Sequence, residues 1–262
     1  MAVNNAHIKR LLETKQCQGG ILNDAYLGRF NLSKADLSGA KLVFSNLNQA
    51  NLTQANLSGA DLSFANVVAA NLTNADLSGF DAKGVNLFEA KLNGADLSGA
   101  DLSFANCVKS NFTDANLSGA ELKGANLIGA QLTRANLSGV HLAGANLGNA
   151  QLTEATLANA DLKDARLVDA DLGDANLNGA DLRNANLFNA NLSGANLSGA
   201  NLAGANLAHA KLDGAIGLYG NPGVMPHDRA PGQSGMAYIT FSQPGTYPGG
   251  PSGLALPRPG MQ

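Results

Sequence analysis

The chain has 262 residues, 17 Lys and Arg against 20 Asp and Glu, a formal net charge of -3, no tryptophan and an apolar share of 45%. That balance contains no clustered excess of Lys and Arg and so excludes direct nucleic-acid binding through phosphate contacts. Nowhere do 18 apolar residues run together, and the opening MAVNNAHIKRLLETKQC lacks the apolar stretch of a signal peptide, so the expectation is a cytoplasmic protein with no membrane contact.

The first predicted element is a short amphipathic helix. Ile8, Leu11 and Leu12 fall at helical spacing, and a helix over about residues 4–16 would lay them on whatever follows. Residues 1–19 are read as this cap and leader.

A five-residue repeat then governs the chain from about residue 20 to 215. Stepping by five from Leu22 to Leu212 gives 39 centre positions, all Leu except Val67, Ala82, Cys107 and Phe112. Two residues before the centre, 32 of 38 positions from Ala25 to Ala210 are Ala. A period of five fits neither a helix nor a strand, but it fits an in-out-in bridge followed by a two-residue corner. At a spacing of 20 the outward positions sort into columns: serine from Ser38 to Ser138, threonine at Thr53, Thr73, Thr113, Thr133 and Thr153, asparagine from Asn46 to Asn206. Four sides of five residues therefore make one coil, and nearly ten coils stacked at about 4.8 Å make an all-β solenoid roughly 45 to 50 Å long.

Inward volume is conserved within a phrase. Phe80 is matched by Ala82, and Phe112 by Ser110, as close packing requires. Cys107 fills a centre, whereas Cys17 is read as preceding the repeat; both are expected to be reduced thiols. Glycine at the second corner of the serine side, from Gly39 to Gly199, suits a turn with positive φ. Phe44, Phe64 and Phe104 hold the same corner on another side, where positive φ is strained, so a different turn is expected there.

After residue 215 the composition changes: all eight prolines and ten glycines lie there. Residues 216–262 read as a disordered Pro/Gly-rich tail, with MAYITF (236–241) its one strand-like piece.

The phrase resembles the A(D/N)LXX signature of the pentapeptide-repeat family, and the leader IKRLLETKQCQGGILNDAYL resembles that of members from photosynthetic bacteria. The resemblance implies a right-handed quadrilateral parallel β-helix. It also implies, from members that bind DNA gyrase by imitating duplex DNA, an alternative function as a DNA mimic.

No phosphate loop, metal-spaced Cys/His cluster or nucleophile grouping appears, so the chain is read as no enzyme, with no cofactor and no metal. What remains is a rigid scaffold rod binding a protein partner. The expected partner face is the asparagine side, whose after-centre column carries Val68, Phe88, Val108, Ile128, Val168 and Phe188 and whose far corner carries Phe44, Phe64 and Phe104. Glu154, Asp161, Asp164, Asp169, Asp171 and Asp174 form a candidate acidic belt for the mimicry reading, while other acids are expected to pair across a centre, as Asp81 with Lys83, Glu121 with Lys123, Asp161 with Lys163 and Asp181 with Arg183. Two open solenoid ends, or the tail, leave room for a homodimer.

Overall fold

A computed structural model describes residues 5–218; the tail and its MAYITF segment lie outside the described residues. The chain begins with helix α1 (Asn5–Thr14), two residues shorter at its end than the spacing suggests. Leu11 is buried and Ile8 and Leu12 pack against the core. Lys15 at φ 59 ends the helix, its N–H bonding the Leu11 carbonyl at 2.9 Å, as a left-handed residue after a last turn does.

From there the backbone forms one continuous series of parallel bridges, each joining a residue to the one twenty positions on, from Gln16↔Asp36 to Asn196↔Ile216. The centre N–H donates to the coil ahead, as Leu22 to the Lys41 carbonyl at 2.7 Å, and the preceding residue donates to the coil behind, as Asn46 to Ala25 at 2.9 Å. Centres and pre-centres are buried nearly throughout, leaving a core of stacked leucine and alanine. Cys17 is a correction to the sequence reading: it is buried at a centre position one phrase before Leu22, and Gly19 is already a second corner at φ 59. The solenoid starts at residue 16 because the five-residue step continues through a phrase whose other residues do not resemble the repeat.

The core compensations hold. Phe80, Ala82, Cys107 and Phe112 are all buried, and the Ser110 hydroxyl donates to the Leu87 carbonyl at 2.7 Å. Ser45 is buried with no partner for its hydroxyl among the described residues. Phe30 departs from the inward rule: it occupies a pre-centre but is 40% exposed, at the first coil.

The corners also correct the sequence reading. Every second corner from Gly19 to Gly214 has φ between 52° and 74°, including Phe44 (57°), Phe64 (57°) and Phe104 (58°). One turn serves all sides because the second-corner N–H must reach the carbonyl of the next coil's first corner, as Phe64 reaches Lys83 at 2.9 Å and Gly39 reaches Ser58 at 2.9 Å. Left-handed backbone costs a residue with a Cβ roughly 1 kcal/mol, and here ring packing offsets it. Phe44 stacks on Phe64 at 5.4 Å and 17°. The rings of Phe64 and Phe104 lie over Gly84 and Gly124, where an added Cβ would meet them at 2.9 Å.

The residue before each centre explains the Asp/Asn of the repeat. Its side-chain oxygen accepts the N–H two residues ahead, as Asp36 from Ser38 (3.1 Å), Asn51 from Thr53 (3.1 Å) and Asn196 from Ser198 (3.0 Å). Only a side chain one carbon long holds the oxygen at that reach. Asn66 is an exception, the Val68 N–H going to Asn48 at 3.1 Å instead. In the ten phrases from residue 121 to 166, six positions carry another residue type: Glu121, Gln131, His141, Gln151, Thr156 and Arg166. The N–H groups two residues ahead of these six form no hydrogen bond among the described residues.

Two stability outcomes follow. Asn116→Ala removes a turn cap and an amide-ladder contact and should cost about 1 kcal/mol in denaturant unfolding, whereas Gln131→Ala should be near neutral. Lys109→Gly, at φ 56 and without a stacked ring, should raise stability by about 0.5 to 1 kcal/mol; a loss would show that the corner carries no strain.

Candidate interaction surfaces

The apolar column of the asparagine side is uneven. Ile128 is 37% and Phe188 40% exposed, while Val68, Phe88, Val108 and Val168 are half-buried and Gly148 interrupts them. Each backbone N–H in the column, Val68 and Val168 apart, is capped by the Asn before it, as Phe88 by Asn86 at 3.2 Å and Phe188 by Asn186 at 3.1 Å. Phe188 also meets the His209 ring edge-on at 5.2 Å. The opposite corner is more open, with Phe44 63%, Phe64 57% and Phe104 69% exposed.

Four of the six belt carboxylates hydrogen-bond to neighbouring groups. Asp161 and Asp171 cap the Lys163 and Gly173 N–H groups at 3.1 Å each. Asp164, Asp169 and Asp171 accept the amides of Asn184, Asn189 and Asn191 at 3.2, 2.6 and 2.8 Å, one coil on. Glu154 and Asp174 are exposed. No group of three His, Cys, Asp or Glu side chains suited to a metal occurs among the described residues.

The cross-centre pairs form in part. Lys83 sits between Asp81 (3.6 Å) and Asp101 (3.1 Å), and Arg183 pairs with Asp181 at 2.5 Å. Glu121 faces His141 at 3.7 Å instead of Lys123, and no ion pair joins Asp161 to Lys163 among the described residues. Flexible exposed lysines gain little by pairing. Arg134 and Asp114, twenty residues apart, form a two-bond pair at 2.7 Å. Burial pushes the Asp101 carboxyl up, but hydrogen bonds from Ser103 and Lys83 outweigh it and leave it below the usual carboxylate range. The Arg183 hydrogen bond lowers Asp181 in the same way against a burial effect. Both thiols are buried and free; burial alone pushes Cys107 up to about 12.

Two shallow grooves lie at the N-terminal end, one of about 280 Å³ lined by Tyr26, Gly28, Arg29, Asn46 and Asn48, the other of about 490 Å³ lined by Asn23, Asp24, Lys41, Val43, Phe44 and Asp61. Sequence reasoning passed over the first; its signal is Tyr26, which interrupts the asparagine column.

A family model for pentapeptide repeats matches in eight copies, its matched segments running from residue 16 to residue 216. The chain belongs to the pentapeptide-repeat family. Among solved structures, this pentapeptide-repeat chain is 34% identical to HetL, a pentapeptide repeat protein involved in heterocyst differentiation regulation from the cyanobacterium Nostoc sp. strain PCC 7120, over 82% of this chain and 97% of HetL, with a TM-score of 0.39. It is 22% identical to QnrB1, a plasmid-mediated fluoroquinolone resistance protein, over 62% and 86% of the two chains, with a TM-score of 0.33. It is 20% identical to Rfr23 from the cyanobacterium Cyanothece 51142, over 81% and 97%, with a TM-score of 0.17. Comparison with curated protein sequences returns no match. No helix among the described residues is long and apolar enough to cross a membrane.

A pH outcome follows from the lowered carboxylates. A group whose pKa is depressed on folding contributes stability above its unfolded pKa, near 3.9, and loses it as pH falls through the folded value. Stability should therefore fall below about pH 4, and Asp101→Asn, which keeps the cap on Ser103, should flatten that fall. An unchanged acid limb in a urea titration series would remove Asp101 from the account.

Proposed function

We propose that the protein is a non-enzymatic scaffold rod that binds a protein partner through its asparagine side and the adjoining phenylalanine corner. The observation that carries this is the exposure of Phe44, Phe64, Phe104, Ile128 and Phe188 on a rigid surface, where stacked apolar side chains mark an interaction site more often than isolated ones do. Val68, Phe88, Val108 and Val168 are half-buried in the same column, and the reading assigns them a supporting role beside the exposed residues. Right-handed winding is taken from the family, and a cytoplasmic location is supported by two free, buried thiols.

A second reading, a DNA-mimicking binder of DNA gyrase or topoisomerase, draws on one feature: Asp61, Asp81, Asp101, Glu121, Asp161 and Asp181 stack in one column, interrupted by His141. DNA carries one charge per roughly 1.7 Å, and Lys83 and Arg183 neutralise part of this sparser column, so the scaffold reading stands first.

The test replaces Phe88, Ile128 and Phe188 with Ser. Capture of a partner from the native extract should fall strongly while the melting temperature shifts little. A marked loss of stability with unchanged capture assigns the strip to folding, and inhibition of gyrase supercoiling by the unaltered protein moves the second reading ahead.

A further inference from the structure

Among the described residues, α1 covers the solenoid end next to it on one side only. Ile21 N–H donates to His7 Nδ1 at 2.9 Å, Asp36 N–H to the Lys15 carbonyl at 2.8 Å, and Lys15 Nζ reaches the Asn31 carbonyl. Between them, the N–H and carbonyl of Tyr26 and the N–H of Asn31 have no hydrogen-bond partner among the described residues. One coil on, the matching residue Asn46 makes both bonds of a parallel bridge, donating to Ala25 at 2.9 Å and accepting from Leu27 at 2.7 Å. The first coil thus keeps an open strand edge, which is a template for a further chain.

Side chains around this edge are those of a contact surface. Tyr26 is 78% exposed, and Phe30 is 40% exposed at a position that holds buried Ala in most later coils. Tyr26 replaces the capping Asp or Asn, so the Gly28 N–H is uncapped, and both residues line the groove with Arg29, Asn46 and Asn48. A side chain at Gly28 would narrow it, its Cβ meeting Asn46 Oδ1 and the Asn48 carbonyl at 3.3 Å. Arg29 uses Nε on Gln49 at 3.0 Å, leaving its terminal amino groups to a ligand. Between residues 5 and 49 there are six basic residues against three acidic ones, in a chain whose net charge is negative.

We propose that the Tyr26 side of this edge docks an extended, acidic segment of a partner polypeptide, which adds to the first coil as one more strand. Charge chooses the occupant. A second copy would bring the same basic end, and residues 219–262 carry one acid against two bases with all eight prolines, which cannot donate along a ladder. The surface lies on the same side as the Ile128 and Phe188 strip but at its N-terminal end, five coils before Ile128, so the Ser triple variant distinguishes failure of one proposal from failure of the other.

The experiment uses the full chain and a fluorescein-labelled capped peptide of sequence TEVTVETE, with TKVTVKTK as its counterpart. Anisotropy should show binding of the acidic peptide alone, weakening as salt is raised, and amide exchange at Tyr26 should slow. Arg29→Glu should weaken binding about tenfold and Tyr26→Ala several-fold, both with unchanged circular dichroism. The Ser triple variant of the strip should bind as the unaltered protein does. Absence of binding, equal binding of the lysine peptide, undiminished binding by Arg29→Glu, or slowed exchange at other amides overturns the proposal. A peptide-free dimer that already protects Tyr26 also overturns it and gives the edge to a second copy.

Discussion

Adjacent coils are locked by a ladder that permits one offset, twenty residues. Each leucine N–H finds a carbonyl one coil ahead and each preceding N–H finds one behind, so a slip by a single residue would turn the whole inward set toward solvent. The rest of the molecule is arranged around that restriction. The largest core substitutions exchange volume inside one phrase, as between Phe80 and Ala82 or Ser110 and Phe112. No insertion interrupts the register from Gln16 to Ile216.

The ladder divides the five positions by duty. Centre and pre-centre fill the core. The residue before the centre is an acceptor for the turn, which is why a short carboxylate or amide recurs there regardless of what lies outside. The second corner has a fixed backbone but an open choice of side chain, provided that its neighbour one coil away accommodates it, as Gly84 accommodates Phe64. Specific recognition therefore has three places to reside: the after-centre column, the second corner and the ends of the rod. The exposed phenylalanines belong to the first two, Tyr26 and Phe30 to the third.

Most of the architecture was legible because it is periodic. Columns at a spacing of twenty identify the four-sided coil, and Cys107 and Phe112 fall where the step puts them. Three errors have one origin, reading residue types without their neighbours in the adjacent coil. The phenylalanine corners were expected to avoid positive φ, but the inter-coil bond of the corner N–H admits one geometry, which non-glycine corners such as Gln49 and Arg134 adopt as well. Glu121 was matched with Lys123 on its own coil, whereas the ladder sets His141 beside it. Cys17 was left outside because its phrase lacks the repeat's letters, although the backbone step had already begun. The candidate surfaces were legible as unusual residues in a column; how far each is exposed depends on packing between coils, which letters do not carry.

The turns from Glu121 to Arg166 that lack an Asp or Asn cap bear on the mechanics of the rod. A stack of near-identical coils would bend as a uniform beam, with its strain spread along the length. Here one band of the shaft has given up six of its small internal braces while keeping the leucine stack and the ladder, so its corners are softer than those on either side. A turn without its cap is held by fewer bonds, so local opening of corners is expected to be easier in this band than in the coils from Asn46 to Asn116, where Lys91 alone departs from Asp or Asn.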